Sequence, residues 1–218
     1  MRHTPWTFRL GLWSLLVALL AAISYAARGT PPQDVLFRYS TAASGIVIDA
    51  FILAIVLSLS AGDRRGLLAL RAPRPGGWLL AVPTLVAIYA MSFGLDQVLH
   101  AGKEQGLTPA GWESGRAAAF AVNVVAIAVV APIVEELAFR GLGVSLLANI
   151  GPAVAVVVVG IAFGLVHGLV RGLPILALFG ATLAWLRLRT QSVLPGILVH
   201  ATYNGISLAL AVTQHVAR

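Results

Sequence analysis

The sequence predicts an all-α fold, a polytopic transmembrane helical bundle of about seven helices within a range of six to eight. Three observations carry that expectation. The 218-residue chain is 59% hydrophobic and only 11% charged, with a mean hydropathy of +0.90; a soluble domain carries about 25% charged residues. Apolar runs recur along the whole chain at the ~20-residue length that a bilayer core requires. Gly- and Pro-rich connections separate them, at Gly29–Pro32, Arg71–Gly77, Gly106–Pro109 and Asn149–Pro152.

The elements follow in order. Residues 10–27 come after Arg2 and Arg9. A secretory signal with a cleavage site near Ser24–Ala26 is the alternative, but the run is longer than a signal core and further spans follow it, so it reads as a first transmembrane helix. Further spans are expected at 44–61, 77–95, 117–147 (a span with an extension), 152–170, 173–187 and 193–213. The sixth is the short one, and a re-entrant or strongly buried helix is its alternative. No internal repeat divides the chain, so residues 1–218 read as one membrane domain.

Several classes are excluded. The net charge of +7 comes from basic residues lying between apolar runs, where they act as topology signals rather than as a nucleic-acid stripe. The absence of cysteine rules out disulfides, thiolate metal sites and a thiol nucleophile. If all seven segments cross, nine basic residues fall on the side of the N-terminus and six on the other. The 62–76 loop alone contributes Arg64, Arg65, Arg71 and Arg74. The expectation is a multi-pass protein with a cytoplasmic N-terminus, in a bacterial inner (cell) membrane.

Ionisable groups inside apolar segments are costly and pose a functional question. Asp49 reads as an interfacial or helix-N-terminal acid. Glu135 and Glu136 are neighbours, so on a helix their side chains diverge by about 100°. Glu136 and Arg140 are spaced i,i+4 in the favourable order, which predicts an ion pair and leaves Glu135 free. Pro132 is placed to kink the helix just before them. Phe163 and His167 share a face, as do His200 and Asn204. Asp96, His100, Lys103, Glu104 and Glu113 read as a solvated connection.

Depth ties these groups together. Glu135 and His167 lie about equally far on either side of the Asn149–Pro152 turn, roughly 22 Å at ~1.5 Å per residue. His200 and Asn204 lie ~16 to 22 Å beyond Arg189 by the same measure. One acid, two histidines and an amide converge on one layer. No serine or threonine is placed as a nucleophile, so water activation is the chemistry this inventory supports. Glu135 would serve as base and then acid. Two histidines and a carboxylate (Glu135, His167, His200) also match a catalytic Zn2+ or another divalent metal with water in the fourth position. A metal-free mechanism uses the same residues.

The motifs Glu135-Glu136-x-x-x-Arg140, Phe163-x-x-x-His167 and His200-x-x-x-Asn204 resemble those of the CAAX prenyl endopeptidase and bacteriocin-processing, abortive-infection-like (CPBP) family of membrane proteases. The resemblance covers about 115–213. It implies an intramembrane endopeptidase in which Glu135, assisted by His167, activates water. It also implies that His200 and Asn204 stabilise the oxyanion or hold the site, and that Glu136, Arg140 and Phe163 support it. Eukaryotic members cut prenylated CAAX tails; this short chain resembles the bacterial type. A peptide or membrane-protein substrate and the lipid bilayer are the partners implied, without nucleic acid. A proton-coupled small transporter and a non-catalytic immunity or scaffold protein are the competing classes; the sequence sets no oligomeric state.

Overall fold

The structure is a computed structural model and describes residues 5–29, 32–104 and 111–213. The Gly106–Pro109 connection, Thr30, Pro31, Arg2 and Arg218 lie outside those ranges. Seven main helices follow in order: α1 (Trp6–Ala26), α2 (Tyr39–Leu59), α3 (Gly77–Leu99), α4 (Ser114–Leu147), α5 (Pro152–Leu165), α6 (Leu173–Thr190) and α7 (Leu194–Thr213). All but α5 are long and apolar enough to cross a membrane. The protein is a multi-pass helical bundle.

One expectation about length is reversed. The segment at 152–170 was expected to span fully, yet its helix stops at Leu165 after 14 residues. The segment at 173–187 was expected to be short, yet α6 runs 18 residues to Thr190. The chain after Leu165 turns through Val166–Gly172, with Gly168 at φ +67°, a conformation that stops a helix. At ~1.5 Å per residue α5 measures about 21 Å, roughly 9 Å short of a bilayer core. The loop after it lies level with the ends of α1 and α3, which tie it through Ser24, Tyr25 and Glu104.

Neighbouring helices alternate in direction. Trp6 Nε1 donates to Leu146 O at 2.8 Å, and Arg9 Nη2 to Ala61 O at 3.0 Å, so the start of α1 sits beside the ends of α4 and α2. Ser24 Oγ donates to Val166 O at 2.7 Å, which sets the end of α1 beside the end of α5. α5 and α6 pack closely because Gly160 and Gly180 face each other. A Cβ on Gly180 would lie 3.0 Å from Gly160 Cα, so larger residues would separate the helices.

α4 is one long helix whose ladder changes register twice. Ala126–Val130 and Glu136–Gly143 are π-helical, with i→i+5 bonding. Such stretches frequently mark functional sites. At the opposite end of the bundle from the α5–α6 loop, the arginine-rich connection between α2 and α3 clasps the α6–α7 corner. Arg74 N donates to Thr190 O at 2.9 Å, Arg71 Nε to Gln191 O at 2.6 Å and Val193 N to Ala69 O at 3.2 Å. These bonds fix where α7 starts, and hence the depth of His200.

Candidate active site

Glu136 is wholly buried, as is Arg140 one turn on, and Arg140 Nη1 meets Glu136 Oε1 at 2.8 Å. This is the ion pair that the i,i+4 spacing predicts. The guanidinium also lies 4.2 Å from the centre of the Phe163 ring and donates from Nη2 to Gly180 O at 3.4 Å. A cation so desolvated gains from the ring face as well as from the carboxylate.

Glu136 has a second partner that the sequence did not suggest. Its Oε1 also accepts from His200 Nδ1 at 3.1 Å. A carboxylate only accepts, so the proton is on Nδ1 and Nε2 is the nitrogen left for chemistry. Gly196, one turn before His200, makes the approach possible: a Cβ there would fall 2.6 Å from Glu136 Oε2. Any larger residue would push the carboxylate away from α7.

Glu135 points elsewhere, as its helical position requires. Its side chain keeps 23% of its exposure, and Oε2 lies 3.7 Å from His200 Nε2, beyond hydrogen-bond range. It borders a cavity of about 670 Å³ shared with His167, His200 and Asn204. The four residues expected at one depth are thus brought to one cavity. The contact recorded for Glu135 is with His200; His167 borders the same space.

His167 Nδ1 lies 2.7 Å from Phe163 O, and a carbonyl can only accept. The proton is again on Nδ1, and Nε2 keeps its lone pair. Phe163 therefore serves twice, through its ring against Arg140 and through its carbonyl to His167. Asn204 is fixed by a bond from Nδ2 to Ile127 O at 2.9 Å. Pro132 explains why that carbonyl is free. In the π-helical stretch Ala131 N bonds Ala126 O, so Ile127 O would take the N–H of residue 132, which proline lacks. Pro132 does not bend α4 to a stop; it frees an acceptor for α7.

Sequence reasoning missed the aromatic wall. Phe179 stands 4.9 Å from the His200 ring and 5.1 Å from Tyr203, while Tyr203 meets Tyr89 at a tilt, 4.6 Å centre to centre. Tyr89, Ser92, Phe93 and Asp96 all line the cavity. Their i, i+3, i+4, i+7 spacing on α3 was the available signal.

Two readings change. Asp49 is not at the N-terminus of its helix; it lies midway along α2, 8% exposed, where α2 packs along α4. The connection after α3 is not simply solvated, since Asp96 Oδ1 accepts from Gly102 N at 2.8 Å and Glu104 accepts from the α5–α6 loop. Among the described residues, no group of three His, Cys, Asp or Glu is gathered closely enough to hold a metal ion.

Comparison with known families then adds one finding: residues 117–206 match the model of the family described as Rce1-like, Type II CAAX prenyl endopeptidase Rce1-like. That stretch begins in α4 and ends in α7, so it takes in every motif residue from Glu135 to Asn204. The match supports an intramembrane endopeptidase at the general level. No curated protein and no solved structure matches the chain.

Proposed function

We propose that the protein is an intramembrane endopeptidase in which Glu135 activates water for peptide-bond hydrolysis. The observation that carries this is the division of labour between adjacent acids. Glu136 is locked between Arg140 and His200, whereas Glu135 is paired with no arginine among the described residues and borders a cavity beside His200 Nε2.

Glu135 takes a proton from a water molecule that His167 Nε2 helps to orient. The resulting hydroxide attacks the carbonyl carbon, forming the C–O bond and placing charge on the carbonyl oxygen. Asn204 uses one N–H on Ile127 O and has a second for that oxyanion; His200, anchored through Nδ1, borders the same space. Collapse breaks the C–N bond as protonated Glu135 returns its proton to the leaving amine. General acid–base transfer of this kind contributes about 10²–10⁴ in rate.

Glu135, His167 and His200 have the donor chemistry of a three-ligand Zn2+ site, and a bound metal would polarise the carbonyl and acidify water. As placed, they do not form a group close enough to hold an ion, so no step here is routed through one.

The substrate is a peptide or membrane protein whose chain enters the cavity. With the N-terminus in the cytoplasm of a bacterial cell, the cavity's Asp96 and Gly172 end faces the opposite side of the membrane. Purified protein in lipid nanodiscs, offered a quenched-fluorescent peptide with a prenylated CAAX tail, tests the reading. Glu135→Gln should lose cleavage by at least about 10³-fold with unchanged melting temperature. Full activity in that variant would overturn the assignment.

A further inference from the structure

We infer that Glu104 is a positioning residue that latches the loop carrying His167 into place. The inference rests on the proposed function for its consequence, and on geometry alone for its existence. Glu104 Oε1 accepts from Val170 N at 2.7 Å and Oε2 from Gly172 N at 2.8 Å. One carboxylate thereby holds two consecutive-but-one amides, immediately before α6 begins. Carboxylate bonds to backbone N–H groups are among the stronger ones.

The loop needs such holding. His167 sits just past the end of α5, in a turn whose Val166, His167 and Gly168 N–H groups still bond back to Ala162, Gly164 and Leu165 O. Among the described residues no such backbone bond holds Leu169, Val170 or Gly172, so beyond Gly168 the ladder is gone. Three ties replace the ladder. Ser24 Oγ donates to Val166 O at 2.7 Å and Tyr25 Oη to Leu169 O at 2.9 Å, both from the end of α1. These satisfy carbonyls. Glu104 comes from the other flank, just after α3, and satisfies N–H groups. Together they clamp the loop from both sides, with His167, Leu169 and Gly172 lining the same cavity as Glu135.

Among the described side chains, the charged and titratable groups around Glu104 are Arg171 on the loop itself and Asp96 on its own flank. Burial works to raise Glu104, but the N–H groups of Val170, Gly172 and Arg171 and the Arg171 charge outweigh it, and the carboxyl sits below its ordinary value. The ionised form is the one that accepts from both amides.

The test uses full-length protein in nanodiscs. Amide exchange is read at Val170 and Gly172, and the accessibility of His167 by its rate of diethyl pyrocarbonate modification. In Glu104→Ala, exchange at both amides and His167 modification should each rise about tenfold or more. Exchange in α4 and α7 should not change. Glu104→Gln, which keeps one acceptor but loses the other, should fall between. On the prenylated quenched peptide, kcat should drop about tenfold with KM within about twofold, as expected for a misplaced catalytic group. Unchanged exchange at both amides would overturn the latch, and raised exchange with unaltered His167 reactivity would overturn its role in positioning. Those two readouts decide the proposal whether or not the wild-type protein cleaves the peptide; failure to cleave counts against the proposed function alone.

Discussion

Replacing Glu136 by Gln removes one charge and little volume from a site with no access to water. Glu136 and Arg140 are both wholly buried, 2.8 Å apart, and among the described residues the guanidinium's further partners are Phe163 and Gly180 O. Breaking a buried pair by removing one partner costs about 3–5 kcal/mol, because the remaining charge is uncompensated. For a chain of this size that corresponds to a fall in melting temperature of about 6–20 °C, at roughly 2–4 °C per kcal/mol. Arg140→Met alone should cost about as much, leaving the carboxylate stranded. The double variant Glu136→Gln/Arg140→Met strands no charge, so its loss should be smaller than the sum of the two by at least about 2 kcal/mol. Thermal unfolding in detergent, followed for all four proteins under one protocol, measures this. Single variants within about 1 kcal/mol of wild type, or additive losses, would refute the claim that this pair is the buried keystone of α4.

Further outcomes follow from other contacts. Gly196→Ala puts a Cβ 2.6 Å from Glu136 Oε2, so the carboxylate must move off His200; kcat should fall at least about tenfold, checked on the fluorogenic peptide with melting as a control. Pro132→Ala restores an N–H that competes with Asn204 for Ile127 O. Its kcat should drop several-fold with melting unchanged or raised, and Asn204→Ala in the Pro132→Ala background should then cost less than in wild type. The carboxyl of Asp34, bonded by Arg38 and Arg116, is held down at about 2. Its folded value is depressed, so its contribution is full above the unfolded value of about 3.9 and disappears as pH falls through about 2. The melting difference between wild type and Asp34→Asn should therefore be constant from pH 7 to about 5 and close between about 4 and 2.

Much of the site was legible because it follows from helical period and depth. The i,i+4 relation forecast the Glu136–Arg140 pair, and counting from the Asn149–Pro152 turn placed Glu135 and His167 in one layer. What was hidden depends on contacts between segments. Nothing in the spacing of Glu136 and His200, 64 residues apart, foretells their bond. The freed carbonyl of Ile127 depends on a π-helical register that periodicity does not reveal. The lengths of α5 and α6 were misassigned because the apolar run continues through Val166, Leu169 and Val170, while the helix stops before Gly168, which takes a left-handed conformation. Glu104 looked like loop solvent-facing charge because its partners are backbone amides, which leave no mark in the sequence.

The central claim is that Glu135, rather than its neighbour, carries the proton in peptide hydrolysis. Single-turnover cleavage of the prenylated peptide by wild type and Glu135→Gln, each with and without a strong chelator, tests it most directly. The account predicts wild-type cleavage that persists after chelation and a loss of at least about 10³-fold in Glu135→Gln. Cleavage abolished by the chelator and restored by Zn2+ would contradict the metal-free step, and cleavage undiminished in Glu135→Gln would contradict the claim itself.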